Sequence, residues 1–290
     1  MDRYVSKGTK IVIYAFLIII AFITLIPLLY TFSAALKTNF EIAQGGANLI
    51  PKEPTWDNLK QVWGMGGSNT FKKSTYADYS VNSLIISTLS TVLIVIMTSM
   101  SAYCFERGNF HGRNALYWTF LSTMFIGTGT VTIFPIMQIT SKFGLNNMWG
   151  LILVESSVAG ASNLFLTMGY LKTISKELDD AARIDGCTFF STWYRIILPL
   201  SKPILATVAL MSFTGVWNDY LLPTLMLATK PDQITLIVAV TRLQSAGGAG
   251  ASQYNLMMAG TVLTVLPVLV LFIVMNKQFV AGITQGAVKG

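Results

Sequence analysis

The chain has 290 residues, 53% of them hydrophobic and only 11% charged, with a mean hydropathy of +0.58. Soluble domains carry about 25% charged residues, so this composition excludes a water-soluble globule, and the high apolar content excludes a disordered chain. The net charge is +7, but the basic residues lie between apolar runs. This pattern favours a polytopic membrane protein beside anionic lipid headgroups and indicates no nucleic-acid partner.

Six segments are apolar over about 20 residues or more, the length that a helix needs to cross a bilayer. In chain order they are residues 11–36, 79–105, 115–140, 149–171, 203–227 and 254–276. The first follows three basic residues, as a signal peptide would, but its run of about 26 uncharged residues is too long for one. The sequence therefore predicts an all-α fold with six transmembrane helices.

Two of the predicted spans contain a carboxyl group, Glu155 in the fourth and Asp219 in the fifth. A charged group is costly in lipid, so each is expected near a helix end or facing a cavity lined by protein. Glu155 lies close to Trp149 and is interpreted as a carboxylate at the membrane interface. The apolar run Gln233–Thr241 is too short to span and is expected to be re-entrant or to lie on an exterior surface.

Six spans place both ends of the chain on one side of the membrane, and the distribution of Lys and Arg indicates which side. With a cytoplasmic N-terminus, twelve of the 20 basic residues fall in inner segments and eight in outer ones. Five of those eight lie in residues 37–78, a long connection for which the rule is weaker. The prediction is a multi-pass membrane protein with both termini in the cytoplasm.

The predicted organisation has four parts. Residues 1–36 form the cytoplasmic N-terminus and first helix, residues 37–78 an extracytoplasmic loop, residues 79–278 a five-helix core, and residues 279–290 a cytoplasmic tail. The loop is long enough for a small exterior cap or a surface that docks a partner, and a flexible connector is the alternative.

Residue types that carry catalysis or hold metals are scarce in this sequence. His111 is the single histidine, and Cys104 and Cys187 are far apart, so neither a multi-histidine metal centre nor a disulfide is indicated. The phosphate-binding pattern G-x-x-x-x-G-K-[ST] does not occur. We therefore expect a non-catalytic chain that holds no metal or cofactor and does not hydrolyse ATP itself.

Between the fourth and fifth predicted spans, residues 175–186 carry the start and stop signals of a short helix. Ser175 suits the N-cap, the acidic residues after it suit the positive end of the helix dipole, and Gly186 suits the position that follows a helix. A second helical stretch, Phe189–Leu198, is expected to end at Pro199, and Pro203 to begin the next span. An ordinary interfacial helix is the alternative interpretation of this region.

The spacing in this region resembles the cytoplasmic loop of permease subunits of bacterial ABC importers. That loop reads Glu-Ala-Ala, three residues, Gly, and then Leu-Pro further on; the matching residues here are Asp180, Ala181, Ala182, Gly186, Leu198 and Pro199. Asp180 departs from the family's Glu and is one methylene shorter. The resemblance extends over nearly the whole chain and points to the maltose-permease-like branch for carbohydrate uptake, through Leu36-Lys37-Thr38, Asn82-Ser83-Leu84, Trp217-Asn218-Asp219 and the terminal residues 286–290.

The resemblance implies the type I permease fold of ABC importers, with a cytoplasmic coupling helix at residues 175–187, in a bacterial cytoplasmic membrane. It implies a second homologous permease subunit, two cytoplasmic ATPase subunits that bind ATP and Mg, and an extracytoplasmic sugar-binding protein. The ATPase-coupling residues would be Asp180, Ala181, Ala182, Asp185, Gly186, Leu198 and Pro199. In the tail, Gly286, Lys289 and Gly290 would lie at the ATPase interface.

Polar and aromatic residues within predicted spans are candidates for the substrate pathway, because such groups suit both the hydroxyls and the apolar faces of sugars. They are Asn82, Asn163, Trp217, Asn218, Asp219 and Tyr220. The alternative for Asn82 and Asn163 is an interhelical hydrogen bond that serves packing, and for residues 217–220 it is a turn at a helix end before Pro223. The family resemblance also implies that the partner permease makes most of the sugar contacts.

The function predicted is the transmembrane permease subunit of an ATP-driven importer of mono- or oligosaccharides. Two alternatives stay open: an ABC permease for another solute, such as a polyol phosphate or an amino acid, and a stand-alone secondary transporter or channel. Two features argue against a stand-alone secondary transporter or channel: the docking segment, and the lack of a detectable pair of inverted halves in the sequence. A membrane enzyme has no catalytic constellation to support it.

Overall fold

In a computed structural model of the chain, the structure describes residues 7–45, 48–64, 75–126, 129–158, 160–243 and 253–287. Within these ranges the regular structure is helical and contains no strand, which confirms the all-α prediction for the described part. The chain divides into two compact units. They are Met1–Ala77 with Ala239–Leu266, and Asp78–Val238 with Pro267–Gly290.

The first unit begins with a long apolar helix, α1 (Lys7–Ala35), followed by α2 (Asn39–Ala43) and α3 (Asp57–Gly64). The apolar stretch of α1 is entirely exposed, so its Ile, Leu and Phe side chains are available to lipid. Both short helices belong to the predicted extracytoplasmic loop, of which residues 65–74 lie outside the described part.

Buried polar side chains hold the connection that follows α1. Asn58 of α3 donates hydrogen bonds to the carbonyls of Ala35 and Lys37, both at 2.8 Å. A helix leaves its last carbonyls without partners, and Asn58 satisfies two carbonyls at this end. Lys37 is fully buried; its Nζ donates to the Asn48 carbonyl and lies 5.3 Å from the ring centroid of Tyr30. The first part of the predicted loop is therefore folded back onto the end of α1.

The second unit is built around α4 (Tyr76–Arg107). After α4 come α5 (Arg113–Ser122), a 3-10 turn (Gly129–Thr132), α6 (Ile133–Lys142), α7 (Met148–Val158), α8 (Gly160–Leu171) and α9 (Glu177–Ile184). The third predicted span, residues 115–140, is thus not a single helix, because α5 ends well before α6 begins. Its sequence contains Gly127, Gly129 and Pro135, and Gly and Pro are the weakest helix formers.

The remaining elements are α10 (Phe189–Thr192), a π-helical turn (Trp193–Ile197), α11 (Leu198–Leu200), α12 (Lys202–Asn218), α13 (Leu221–Met226), α14 (Leu236–Leu243) and α15 (Tyr254–Ala287). The helix that starts at Phe189 was expected to end at Pro199, but it runs to Leu200 and then bends by 80° into α12. Pro199 has no N–H for the Arg195 carbonyl, and the wider π-helical turn adapts the backbone to that loss. Pro203 lies in the first turn of α12, as predicted.

Among the described residues, three helices are long and apolar enough to cross a membrane: α1, α4 and α15 up to Val274. Two bent pairs, α7 with α8 and the Phe189–Leu200 helix with α12, would raise this number to five. The helix of the fifth predicted span ends at Asn218, because Asp219 adopts an extended backbone. Helix α15 continues to Ala287, past the predicted start of the tail.

The main core of the second unit lies where α4, α8 and the π-helical turn meet. Its buried side chains are Ala102, Tyr103, Leu164, Met168, Leu171, Trp193 and Ile197. A smaller cluster of Tyr170, Ile204 and Leu205 joins α8 to α12, and Leu198 packs against both clusters. This packing places the segment that carries α9 against the ends of α4 and α8.

Candidate functional site

The segment with the family spacing forms α9, which confirms the prediction of a short helix. The helix has Lys176 at its N-cap position, one residue after the predicted Ser175, whose hydroxyl accepts a hydrogen bond from the Glu177 N–H at 3.2 Å. Gly186 has a φ of +78°, the left-handed conformation that glycine adopts after a helix without steric cost. The Cys187 N–H then donates to the Ala182 carbonyl at 2.8 Å, which closes the helix end.

One side of α9 is held by a buried ion pair. The Asp179 carboxylate lies 3.1 Å from Nε of Arg107 on α4, and the Tyr103 hydroxyl donates a hydrogen bond to it at 2.9 Å. The Asp179 side chain is 10% exposed and the Arg107 side chain 6% exposed. Arg107 Nε and Asp179 Oδ2 form an ion pair but no hydrogen bond. Nη2 of Arg107 donates to the carbonyls of Ile174 at 2.6 Å and Leu171 at 3.4 Å, at the end of α8. We call Tyr103, Arg107 and Asp179 the anchor cluster.

The anchor cluster joins α9 to the ends of α4 and α8. Removing one partner of a buried ion pair costs about 3–5 kcal/mol, because the other charge is left buried and unpaired. The Arg107 guanidinium also lies where the negative end of the α8 dipole favours a cation. The anchor cluster therefore connects α9 directly to both helices. Sequence reasoning missed this cluster, because Asp179 was taken only as an acidic residue in a first helical turn.

The other side of α9 is exposed and partly apolar. Ile184 is 87% exposed and Leu178 40% exposed, and Phe190 on α10 is 58% exposed. The predicted coupling residues Asp180, Ala181, Asp185 and Gly186 are exposed on the same segment. We call Leu178, Asp180, Ala181, Ile184, Asp185, Gly186 and Phe190 the docking face. Exposed apolar side chains grouped among charges are typical of a surface that binds another protein.

The other predicted coupling positions lie around this face. Ala182 is buried beneath it at 2% exposure, and its small side chain lets α9 approach the core. Leu198 is partly buried and Pro199 is exposed, both at the bend that leads into α12. In the tail, Gly286 falls near the end of α15, and Lys289 and Gly290 lie outside the described residues.

The second unit also contains a cleft of about 470 Å³ between α4, α7, α8 and α12. Its polar lining residues include Glu155, Ser162, Asn163 and Ser212. The Asn163 side chain is buried, and its amide nitrogen donates to the Ser212 hydroxyl at 3.2 Å. The structure therefore places Asn163, a predicted pathway residue, at this cleft, where it also makes the interhelical hydrogen bond of the packing alternative.

Glu155 was not among the predicted pathway residues, although it lines the same cleft. It lies one turn before the end of α7 and is 8% exposed, so it has both the helix-end position and the protein-lined cavity that were expected. The interpretation as a carboxylate at the membrane interface stays a prediction, and the packing of α7 turns this side chain inward. Its Oε1 is buried with no hydrogen-bond partner among the described residues, and its carboxyl interacts with that of Asp219. A buried polar atom left unpaired costs about 1–3 kcal/mol.

Two other candidates make packing contacts away from this cleft. The Asn82 side chain donates to the carbonyls of Asp232 at 2.8 Å and Ile234 at 3.3 Å, and so holds the segment before α14 against α4. Trp217 is 3% exposed, and its ring stacks on that of Phe213 with centroids 5.6 Å apart. The Asn82 hydrogen bonds are of the kind expected from its packing alternative. Trp217 lies one residue before the end of α12, which fits its own alternative of a helix-end turn.

Residues 218–220 form the turn that ends α12. The Asn218 side chain donates to the Thr214 carbonyl at 2.8 Å, one turn back in α12. The Asp219 carboxylate accepts a hydrogen bond from the Leu221 N–H at 3.0 Å, and Tyr220 is 43% exposed. Of this group, Asp219 is the one whose side chain interacts with Glu155 beside the cleft.

Known proteins show which family the chain comes from. The family model described as "Binding-protein-dependent transport system inner membrane component" matches residues 2–285. The arabinooligosaccharides transport system permease protein AraQ of Halalkalibacterium halodurans is 33% identical over 273 residues, which cover 93% of each chain. The sn-glycerol-3-phosphate transport system permease protein UgpE of Pectobacterium atrosepticum is 32% identical over 281 residues, which cover 96% of this chain and 97% of that protein.

A solved structure shows the same fold. It is that of a bacterial ABC transporter involved in the import of the acidic polysaccharide alginate, and it matches with a TM-score of 0.78 at 22% identity. The match covers 96% of this chain and 100% of that chain. With the family model spanning nearly the entire sequence, the chain belongs to the binding-protein-dependent transport system inner membrane components, the membrane permeases of ABC transporters.

Proposed function

We propose that this chain is the transmembrane permease subunit of an ATP-driven carbohydrate importer in the bacterial cytoplasmic membrane. It forms half of the translocation pathway, and a second homologous permease forms the other half. Two cytoplasmic ATPase subunits bind ATP and Mg and hydrolyse the nucleotide, and an extracytoplasmic binding protein delivers the sugar. The 33% identity to an arabinooligosaccharide permease over almost the whole chain supports a carbohydrate as the solute.

The observation that carries the coupling role is the two-sidedness of α9. Its buried side is tied to α4 and α8 through the anchor cluster, and its opposite side presents the docking face. An ATPase that grips the docking face can therefore displace the ends of two long helices. The Glu-to-Asp change at position 180 keeps a negative charge on this face with a shorter reach.

Helix α8 provides a path from the docking face to the cleft. Leu171, at one end of α8, accepts a hydrogen bond from Arg107 of the anchor cluster. Asn163, in the same helix, lines the cleft. The helical rise between these two residues is about 12 Å. A helix is stiff over this distance, so a shift at the anchor cluster moves one wall of the cleft.

The proposed topology has six spans with both termini in the cytoplasm. Helices α1, α4 and α15 supply three, the two bent pairs supply two more, and α5 with α6 forms a divided third span. In this topology the docking face is cytoplasmic. A membrane-impermeant thiol reagent is expected to label Ile184→Cys when it is added outside inverted vesicles, whose outer surface is the cytoplasmic face, and not when it is added outside intact cells.

The coupling role is tested by substituting Gly186. Within this chain the substitution adds backbone strain but no steric clash, because the space around Gly186 is open. Gly186 has a φ of +78°, and a Cβ at this position would contact nothing within 4 Å. Gly186→Leu is expected to force a change at the end of α9, so that ATP hydrolysis proceeds without sugar uptake or the ATPase no longer copurifies. Gly144→Leu is the matched control, because Gly144 has a φ of +66° and equally open space but lies between α6 and α7.

Sugar uptake and ATPase activity of the complete transporter are measured for both variants. Loss of coupling in Gly186→Leu with retention in Gly144→Leu supports the role of α9. Normal uptake in both variants contradicts it, and equal loss in both would assign the effect to backbone strain alone.

A second candidate function is a permease for a phosphorylated polyol. The observation that favours it is the 32% identity to an sn-glycerol-3-phosphate permease, which is nearly as high as that to the arabinooligosaccharide permease. Direct uptake of radiolabelled sn-glycerol-3-phosphate by cells with the complete transporter separates the two functions.

A further inference from the structure

The cleft presents hydrogen-bonding groups that the fold leaves available. Glu155 is more than nine-tenths buried, and its Oε1 faces no hydrogen-bond partner among the described residues although it lines a cleft. Asn163 is oriented beside it by its hydrogen bond to Ser212. Glu155 and Asn163 therefore place a carboxyl group and an amide in the wall of one cleft, and both are groups that can hydrogen-bond a polar ligand.

The size and apolar lining of the cleft suit a sugar ring. The volume of about 470 Å³ lies within the range of about 300–1,000 Å³ that is usual for small-molecule sites. Ile94, Met211 and Val216 line it together with the polar groups. A sugar has hydroxyls at its rim and C–H groups on its faces. A mixed surface of this kind therefore suits a sugar better than it suits a purely apolar solute.

The charges around the cleft restrict the ligand further. None of the described residues that line it is a Lys, Arg or His. Its acidic lining residue is Glu155, and the carboxyl of Asp219 interacts with that of Glu155. A phosphate or uronate would be buried here without a cation, which is strongly unfavourable.

We propose that this cleft is a solute-binding site within this subunit, in which Glu155 and Asn163 hydrogen-bond the hydroxyls of an uncharged sugar during transit. The proposal rests on the proposed importer function and narrows its substrate class to neutral carbohydrates. Glu155 is then a contact residue for the solute, and the absence of a basic residue in the described lining discriminates against anionic solutes.

The test uses cells that carry the complete transporter with its binding protein, second permease and ATPase. Uptake is measured for three neutral sugars, trehalose, arabinotriose and maltotriose, and for two anions, sn-glycerol-3-phosphate and an alginate oligosaccharide. At least one neutral sugar is expected to be imported, and neither anion. The sugar imported fastest becomes the probe for the variants.

Two variants change the cleft in different ways. Glu155→Gln keeps the shape but removes the carboxyl, and uptake is expected to fall by up to about tenfold, as when one hydrogen bond to the solute is lost. Gly215→Leu fills the cleft: Gly215 lines it, and a Cβ there meets nothing within 4 Å, so the helix is not disturbed. Its uptake is expected to fall about tenfold or more, and more for a trisaccharide than for a disaccharide.

Each variant has a matched control. Ser157→Ala lies on α7 with Glu155, but Ser157 is exposed and bonded to the Val154 carbonyl of its own helix. Gly169→Leu adds the same side chain on α8, where a Cβ also meets open space, but Gly169 does not line the cleft. The two control variants are expected to keep wild-type uptake, and the yield of assembled complex is expected to match wild type in all four variants. A merely structural role for Glu155 would instead lower the yield of the Glu155→Gln complex.

The outcomes separate this inference from the function on which it rests. If the wild-type transporter imports none of the neutral sugars and neither anion, the importer function fails and the inference fails with it. Import of an anion at a rate comparable with the sugars overturns the restriction to neutral solutes only. Wild-type uptake in both Glu155→Gln and Gly215→Leu overturns the binding site, and if the Glu155→Gln complex does not assemble, Gly215→Leu alone decides.

Discussion

The anchor cluster and the cleft each bury a carboxyl group in the same unit, but the two groups have opposite surroundings. Asp179 faces the Arg107 guanidinium and receives a hydrogen bond from the Tyr103 hydroxyl. Glu155 has a buried oxygen without a partner among the described residues, and its charged neighbour is a second carboxyl, Asp219. Burial alone therefore does not define the role of a carboxyl group.

A structural charge and a binding group differ in whether the fold itself supplies a partner. A buried charge that is paired lowers the energy of one arrangement and holds elements together. A buried polar group that is left unpaired lowers stability and is retained where something else pairs with it. On this argument the anchor cluster holds α9 in place, a solute role is proposed for the cleft, and substitutions at the two places should have opposite effects on stability.

The largest expected effect is at the anchor cluster. Asp179→Ala leaves the Arg107 charge buried and unpaired, and we expect the free energy of unfolding to fall by about 3–5 kcal/mol. Thermal unfolding of the purified complex in detergent measures this. The control is Asp180→Ala on the exposed side of α9, which should change stability by no more than about 0.5 kcal/mol. Equal unfolding temperatures for the two variants would show that the ion pair contributes nothing.

A smaller loss of stability is expected when Tyr103, the second partner of Asp179, loses its hydroxyl. Tyr103→Phe deletes the hydroxyl that donates to the carboxylate, and hydrogen bonds to charged groups are worth about 1.5–3 kcal/mol. The same unfolding experiment applies, with Tyr194→Phe as the control because Tyr194 is 61% exposed. A loss as large as that of Asp179→Ala would mean that the hydroxyl, and not the ion pair, holds α9.

The cleft should respond in the opposite direction. Glu155→Gln removes a carboxyl that has one unpaired oxygen and lies beside a second carboxyl, so we expect the free energy of unfolding to stay constant or to rise by up to about 1 kcal/mol. A clear fall in the unfolding temperature of the complex would place Glu155 with the structural carboxyls and remove the contrast with Asp179.

The smallest effect on stability is expected on the docking face. Ile184 is 87% exposed, so Ile184→Asp should change the free energy of unfolding by no more than about 0.5 kcal/mol. The same variant should nevertheless weaken copurification of the ATPase several-fold, because it places a charge where an apolar contact is proposed. Full retention of the ATPase would show that the partner binds elsewhere, and that α9 is only an anchored loop helix.

Much of the helical structure follows from local sequence. The apolar lengths of residues 11–36, 79–105 and 254–276 predict helices α1, α4 and α15, because a helix satisfies its own backbone hydrogen bonds wherever it lies. Helix α9 follows from a cluster of acidic residues at its start and from Gly186 at its end, whose positive φ only glycine adopts readily. These features depend on neighbouring residues alone.

The interruptions were harder to predict. The third span is divided between α5 and α6, and the helix that includes Pro199 bends one residue later than expected. A hydropathy profile shows how long an apolar segment is, but it does not show where the helix within that segment is interrupted. A proline or glycine shows where a helix is weak, but packing against α4 and α8 decides whether the chain bends there.

The amino-acid order by itself determined the membrane character of this protein, its long helices and the short helix with the permease spacing, since each depends on hydropathy or on residues within one or two turns. The packing of helices against one another brings Arg107 to Asp179 and makes Glu155 face a cleft with Asn163. Each of these pairs joins side chains from separate helices. Which of them meet, and which polar atoms stay unpaired, depends on how whole helices pack and not on any single stretch of sequence.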